Sequence, residues 1–193
     1  VIFQRKSAIA WLEVNVSEHR LAHILGVEKM ARHLAQCHGL DPEKAAIAGL
    51  LHDLAKFFPP QKLLTYAAAG NLSVDDICRQ VPHLLHAEVS ALVAQEEFGI
   101  TDPEILQAIA NHTLGQPQMA DLSCIIFIAD SLEPGRGDSK ALKKLRKLSD
   151  KNLHKAVWKV CDYTLKYLLK QHKTIPPRVI ATRNWAIAAC RSK

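Results

Sequence analysis

Six side chains able to bind a metal or move a proton recur along the chain in a regular order: His23, His52 with Asp53 beside it, His86, His112 and Asp130. Each stands at the end of an apolar stripe with helical spacing. Extending the stripe of Val27, Met30, Ala31 and Leu34 backward by four residues lands on His23, while Ala45, Ala48 and Gly49 share a face with His52. His86 heads a stripe of Val89 and Val93; Ile105 and Ile109 lead to His112; Leu122 and Ile126 lead to Asp130. One histidine on an apolar face is ordinarily a satisfied core residue. Five successive segments that each deliver an imidazole or a carboxylate are different, because such groups buried without partners are costly and must meet one another or a cation. Four neutral imidazoles and two carboxylates suit a divalent transition metal with mixed nitrogen and oxygen ligation: iron, manganese, cobalt or zinc.

The elements that must position these groups are helices. Apolar spacings of three and four run almost throughout, strict alternation is scarce, and the fold class expected is all-α. Helices are expected at 5–16, 19–38, 42–57, 60–69, 73–79, 84–98, 102–113, 119–132, 139–147, 150–172 and 178–190. Gly39 and Gly99 mark C-terminal stops, Asp41-Pro42 and Asp102-Pro103 read as an N-cap followed by proline at the first helical position, and Pro59-Pro60 is a hard break. The small residues Ala48 and Gly49 would let a neighbouring helix approach closely enough for ligands to converge.

Composition narrows the rest. A chain of 193 residues with 48% apolar residues can build one well-cored domain, read here as a single unit over 1–193 with a core at about 19–136 and a basic extension at about 137–193. No window approaches a membrane-spanning run and the start lacks the regions of a signal peptide, so a cytoplasmic location is expected. Five cysteines, odd in number and never spaced C-x-x-C, argue against a disulfide framework and a structural zinc knuckle. The net charge of +6 is uneven: residues 1–135 hold nine Lys/Arg against sixteen Asp/Glu, and residues 136–193 hold sixteen against three. The basic third is either a solvated helix face or a surface for polyanions.

The pieces "HRLAHILGVEKMA", "AGLLHDLAK", "LLHAEVSALVA", "IANHTLG" and "FIADSLEPGR", in that order over residues 19–136, resemble the HD-domain superfamily of metal-dependent phosphohydrolases, whose signature is H…HD…D. The resemblance is closer still to its bacterial branch of symmetrical bis(5′-nucleosyl)-tetraphosphatases, the YqeK type, and the basic tail shares in it. It implies a helical bundle in which His23, His52, Asp53 and Asp130 hold one metal and Asp53, His86 and His112 a second, with Asp53 as bridge. It further implies a di-iron centre, with manganese, cobalt or zinc as alternatives. Two cations sharing a carboxylate lie roughly 3.5–4 Å apart and lower the pKa of a water between them toward neutrality. The implied reaction splits diadenosine tetraphosphate into two ADP, with Asp53, His52 and Lys56 as the catalytic set. Arg20, Lys56, Thr113 and Arg136 are the expected contacts to phosphate.

The chain departs from the resemblance at Glu88, where proline is common, and at Ser90, where glycine is. His83, three residues before His86, competes for that ligand position. Other readings remain at this level: a nucleotidase, a deoxynucleotide triphosphohydrolase, or an RNA-binding protein with a structural metal. The absence of Gly-Tyr-Pro disfavours a cyclic-dinucleotide phosphodiesterase of the HD-GYP kind. The expected partner is a small nucleotide and neither membrane nor nucleic acid, with pairing of two copies left open.

Overall fold

A computed structural model describes residues 3–191, and among them every regular element is helical. In chain order these are α1 (Arg5–Asn15), α2 (Glu18–Cys37), α3 (Pro42–Leu51), α4 (Pro60–Ala69), α5 (Asp76–Gln80), α6 (His86–Phe98), α7 (Pro103–Asn111), α8 (Asp121–Leu132), α9 (Lys140–Ser149), α10 (Leu153–Lys170) and α11 (Pro177–Arg191). Short 3-10 turns at Pro82–Leu85 and Pro134–Arg136 lead into α6 and out of α8.

Local chemistry accounts for most of the boundaries. The Asp41 carboxylate accepts from the Glu43 and Lys44 amides and that of Asp102 from the Glu104 amide, with proline at the first helical position each time. Gly99 closes α6 in the left-handed conformation, at φ 64°. After α2, Gly39 turns left-handed at φ 68° and the Leu40 amide returns to the Ala35 carbonyl at 2.9 Å.

Helix α2 packs against α3 and α8, α7 lies between α6 and α8, and α10 joins the bundle through α8 and α11. Ile24, Leu34, Leu51, Ile109, Ile125 and Ile126 are all fully buried where these helices meet. At about 25 cal/mol per Å² of apolar area, each such side chain contributes roughly 1.5–3 kcal/mol relative to exposure.

One expected helix stops early. The 42–57 segment leaves α geometry after Leu51, because the His52 ring donates Nδ1–H to the Gly49 carbonyl at 2.7 Å, and residues 53–58 continue as tight turns. The Ala55 amide, freed from the helix ladder, donates to the buried Ser90 hydroxyl at 3.0 Å. Ser90 thus answers to a specific donor, and Glu88 answers to Arg178, which lies 2.8 Å away on α11. Ser90→Ala strands the Ala55 amide and should cost about 1–3 kcal/mol, read as a lowered thermal midpoint with unchanged helix content.

The basic tail is tied to the bundle. Arg146 donates to the carbonyls of Leu132, Glu133 and Gly137 at 2.6, 3.1 and 2.7 Å, capping the open end of α8. Thr182 of α11 donates to the Leu114 carbonyl at 3.1 Å and leans on Gly115, where an added Cβ would lie 2.5 Å from the threonine methyl.

Candidate metal centre

His52 and His112 follow directly on α3 and α7, and His86 begins α6 after a 3-10 turn. Each ring donates Nδ1–H to the carbonyl three residues back: to Gly49 at 2.7 Å, His83 at 2.6 Å and Ile109 at 2.8 Å. A carbonyl can only accept, so the proton sits on Nδ1 and each Nε2 turns a lone pair inward. His83, the rival for the His86 position, plays a different part in this arrangement. His83 contributes its carbonyl, while its exposed ring stacks on His86 with centroids 4.9 Å apart.

The six groups converge. Asp53 Oδ1 lies 3.4 Å from His86 Nε2 and 3.5 Å from His112 Nε2, and its Oδ2 lies 3.4 Å from His52 Nε2 and 4.0 Å from His23 Nε2. Asp130 Oδ1 is 3.0 Å from His23 Nε2 and 3.8 Å from His52 Nε2. Asp53 therefore faces two sub-clusters, one oxygen to each. His23, His52, Asp53, His86 and His112 are buried.

Charge fits a cation at the centre. Burial pushes the Asp53 carboxyl up, but the rings of His52, His112 and His86 hold it well below the ordinary carboxylate range, so it is an anion. Asp130 follows the same pattern: burial raises it, and His23, His52 and Arg136 override that and lower it. His86 is pushed down to about 4, chiefly by burial and further by His112 and Lys56 against the pull of Asp53, and so is neutral at pH 7. The Nε2 atoms of His86 and His112 nonetheless face each other at 3.1 Å. Among the six clustered groups, two buried atoms, His52 Nε2 and Asp53 Oδ1, have no hydrogen-bond partner. Lone pairs of nitrogen and oxygen converging in a buried site are the donor set of a divalent transition metal.

The expected phosphate contacts stand at the rim. Arg20 NH1 is 2.9 Å from Asp53 Oδ2, Lys56 Nζ 3.0 Å from His86 Nε2, Thr113 Oγ1 3.1 Å from the same nitrogen, and Arg136 NH2 2.5 Å from Asp130 Oδ1. Beside Arg20 and Arg136 opens a cleft of about 390 Å³ that His19 and Gly135 also line. Other histidines lie apart: His33 pairs with Asp150, His38 with the Ser149 carbonyl, and His154 faces Asp121.

Sequence reasoning missed Glu133. It is 3% exposed, and its Oε1 lies 2.9 Å from His23 Nδ1. The available signal was an acid directly before Pro134-Gly135, at the end of a helix otherwise buried.

An all-α bundle that turns four imidazoles and two carboxylates into its own interior, at the meeting of five chain segments, is a metal-centre fold. The HD-domain model matches residues 20–135. The chain belongs to the HD-domain family of metal-dependent phosphohydrolases, which implies a divalent metal at this cluster. It is 34% identical over 184 residues to the symmetrical bis(5′-nucleosyl)-tetraphosphatase of Bacillus subtilis (strain 168), spanning 95% of this chain and 98% of that protein. The protein of the same name from Halalkalibacterium halodurans is 37% identical over 180 residues, spanning 93% of this chain and 95% of its own. A crystal structure of an HD superfamily hydrolase from Clostridium acetobutylicum, described as involved in NAD metabolism, superposes with a TM-score of 0.92 at 34% identity, covering 98% of this chain and all of that one. No helix among the described residues is long and apolar enough to cross a membrane.

Proposed function

We propose that this chain hydrolyses dinucleoside tetraphosphates, diadenosine tetraphosphate among them, symmetrically into two nucleoside diphosphates. The observation that carries the reading is the buried cluster shared by Asp53, with cationic groups on both flanks, in a chain whose relatives bear that activity's name. His23, His52, Asp53 and Asp130 would hold one metal ion and Asp53, His86 and His112 a second; iron is the metal we assign, with manganese, cobalt or zinc as substitutes. Bound there, such ions supply Lewis acidity toward phosphate oxygens and lower the pKa of a water toward neutrality.

The protein's own groups do the rest. Asp53 keeps a buried negative charge between the two halves of the cluster, and the Nδ1 hydrogen bonds of His52, His86 and His112 fix the orientation of those rings. Arg20 and Arg136 on one flank, and Lys56 and Thr113 on the other, neutralise and orient the phosphates. Water attacks an inner phosphorus in line with the central bridging oxygen. The bond from that phosphorus to the bridging oxygen breaks, so one ADP leaves with the bridging oxygen and the other carries the oxygen of water. Cations on both sides of the cluster suit a substrate that extends equally in both directions from the scissile bond.

We read residues 137–193 as an extension of a single HD unit that supports the site, since Arg146, Arg178 and Arg183 are engaged with groups of the chain itself. The partner is then a small nucleotide rather than RNA. Five unpaired cysteines support placing the protein in the cytoplasm.

Product chromatography tests the reading. Metal-loaded protein given diadenosine tetraphosphate should yield ADP alone. AMP with ATP would overturn symmetrical cleavage, and tripolyphosphate from deoxynucleoside triphosphates, with the tetraphosphate untouched, would reassign the chain to a triphosphohydrolase.

A further inference from the structure

His23 is oriented differently from its three partners. His52, His86 and His112 spend Nδ1–H on backbone carbonyls at segment ends, whereas His23 lies inside α2, where the neighbouring carbonyls serve the helix. Its Nδ1 instead meets Glu133 Oε1 at 2.9 Å. The other oxygen, Oε2, accepts the Gly135 amide at 2.5 Å. That amide belongs to the Pro134–Arg136 turn, which delivers Arg136 to Asp130.

The backbone makes room for this carboxylate. An ideal Cβ on Gly26 would lie 2.6 Å from Glu133 Oε2, and one on Gly135 would lie 2.9 Å from both oxygens. Glutamate is almost never this deeply buried unless it is paired, and here both oxygens are in use.

We propose that Glu133 is a positioning residue that couples two parts of the machinery: one carboxylate oxygen sets the His23 ring and the other holds the turn that aims Arg136. The inference rests on the reading of the cluster as a metal centre. A carboxylate behind a ligand histidine fixes its tautomer and strengthens the opposite nitrogen as a donor.

Glu133→Gln separates the two roles. The Gly135 amide can only donate, so it claims the glutamine carbonyl oxygen. The glutamine NH₂ is then left facing His23 Nδ1, which must accept, and the ring proton moves to Nε2, where it blocks the inward lone pair. Glu133→Gln should therefore weaken metal binding about 10- to 100-fold while Arg136 stays in place. Glu133→Ala releases both groups.

The test titrates Co²⁺ into metal-free wild type, Glu133→Gln, Glu133→Ala and His52→Ala, followed by visible absorption and by competition with a chelator. KM for diadenosine tetraphosphate is then measured at saturating Co²⁺. Expected are the stated loss of Co²⁺ affinity with unchanged KM in Glu133→Gln, and loss of affinity with raised KM in Glu133→Ala. Wild-type affinity in Glu133→Gln overturns the inference alone, whereas a wild-type chain that takes up no Co²⁺, or takes it up equally in His52→Ala, overturns the metal reading and the inference with it. If Glu133→Gln does not fold, Gly26→Ala, which presses on the carboxylate without touching a ligand, must weaken Co²⁺ binding in the same direction; unchanged binding there counts against the proposal.

Discussion

Asp53→Asn is expected to lower hydrolysis of diadenosine tetraphosphate by on the order of 10³-fold or more while the helical fold persists. The substitution keeps the shape and removes the charge. Asp53 is 1% exposed and anionic, with Oδ1 facing His86 and His112 and Oδ2 facing His52 and Arg20. An amide in its place turns NH₂ toward one pair of these neighbours. Turned toward His86 and His112, it donates to their inward lone pairs and occupies the atoms a cation needs; turned toward Arg20, it sets donor against donor. Either way both halves of the cluster lose their shared anion, and one of them also meets a misplaced donor. Stabilisation of transition-state charge at such a centre amounts to several kcal/mol, and each ~1.4 kcal/mol is tenfold in rate. Elemental analysis should find less metal in the variant, and circular dichroism should find the same helix content. A variant that keeps its rate and its metal would remove Asp53 from the centre of the mechanism.

How far the site could be read in advance follows from the kind of interaction that builds each part. The stripes ending in His23, His52, His86, His112 and Asp130 were legible because burial of apolar residues imposes the helical period, and a polar group on that period has to point inward. The caps at Asp41 and Asp102 and the turns at Gly39 and Gly99 were legible because they are local. The end of α3 was hidden, since neither glycine nor proline stops it: the stop is the His52 ring bonding to the Gly49 carbonyl, and histidine carries no such signal alone. Glu133 was hidden for a different reason. Its role depends on α2 crossing the end of α8, a contact 110 residues apart in sequence. The departures at Glu88 and Ser90 are likewise explained only by distant partners, Arg178 and the Ala55 amide. Long-range pairing was thus the missing information, and it concerns the groups around the ligands more than the ligands themselves.

Gly49→Ala is expected to destabilise the fold and impair the site together, and the reason is the crossing of α2 and α3. A Cβ on Gly49 would lie 3.0 Å from Glu28 Cα, 3.2 Å from Glu28 N and 3.2 Å from the Val27 carbonyl oxygen. All three are backbone atoms, so no side chain can swing aside and the helices themselves must separate. Overpacking of this kind costs typically about 1–3 kcal/mol, which for a chain of this size lowers the thermal midpoint by about 2–4 °C per kcal/mol. Separation also moves His52, which follows directly on α3 three residues after Gly49, away from His23 on α2; the two rings stand 5.4 Å apart at their centroids. The shift needed is a few tenths of an ångström, so the loss of rate should stay below the ~10²-fold that misplacement by a full ångström can cost. Gly39→Ala supplies the contrast. Its φ of +68° strains an alanine by roughly 1–2 kcal/mol, but nothing lies within 4 Å of the added Cβ, and the turn is remote from the cluster. Both variants should melt earlier than wild type, and only Gly49→Ala should lose kcat and metal stoichiometry at temperatures where it is folded. Full kcat in folded Gly49→Ala would mean that the close approach of α2 and α3 serves stability alone and that the ligands converge without it.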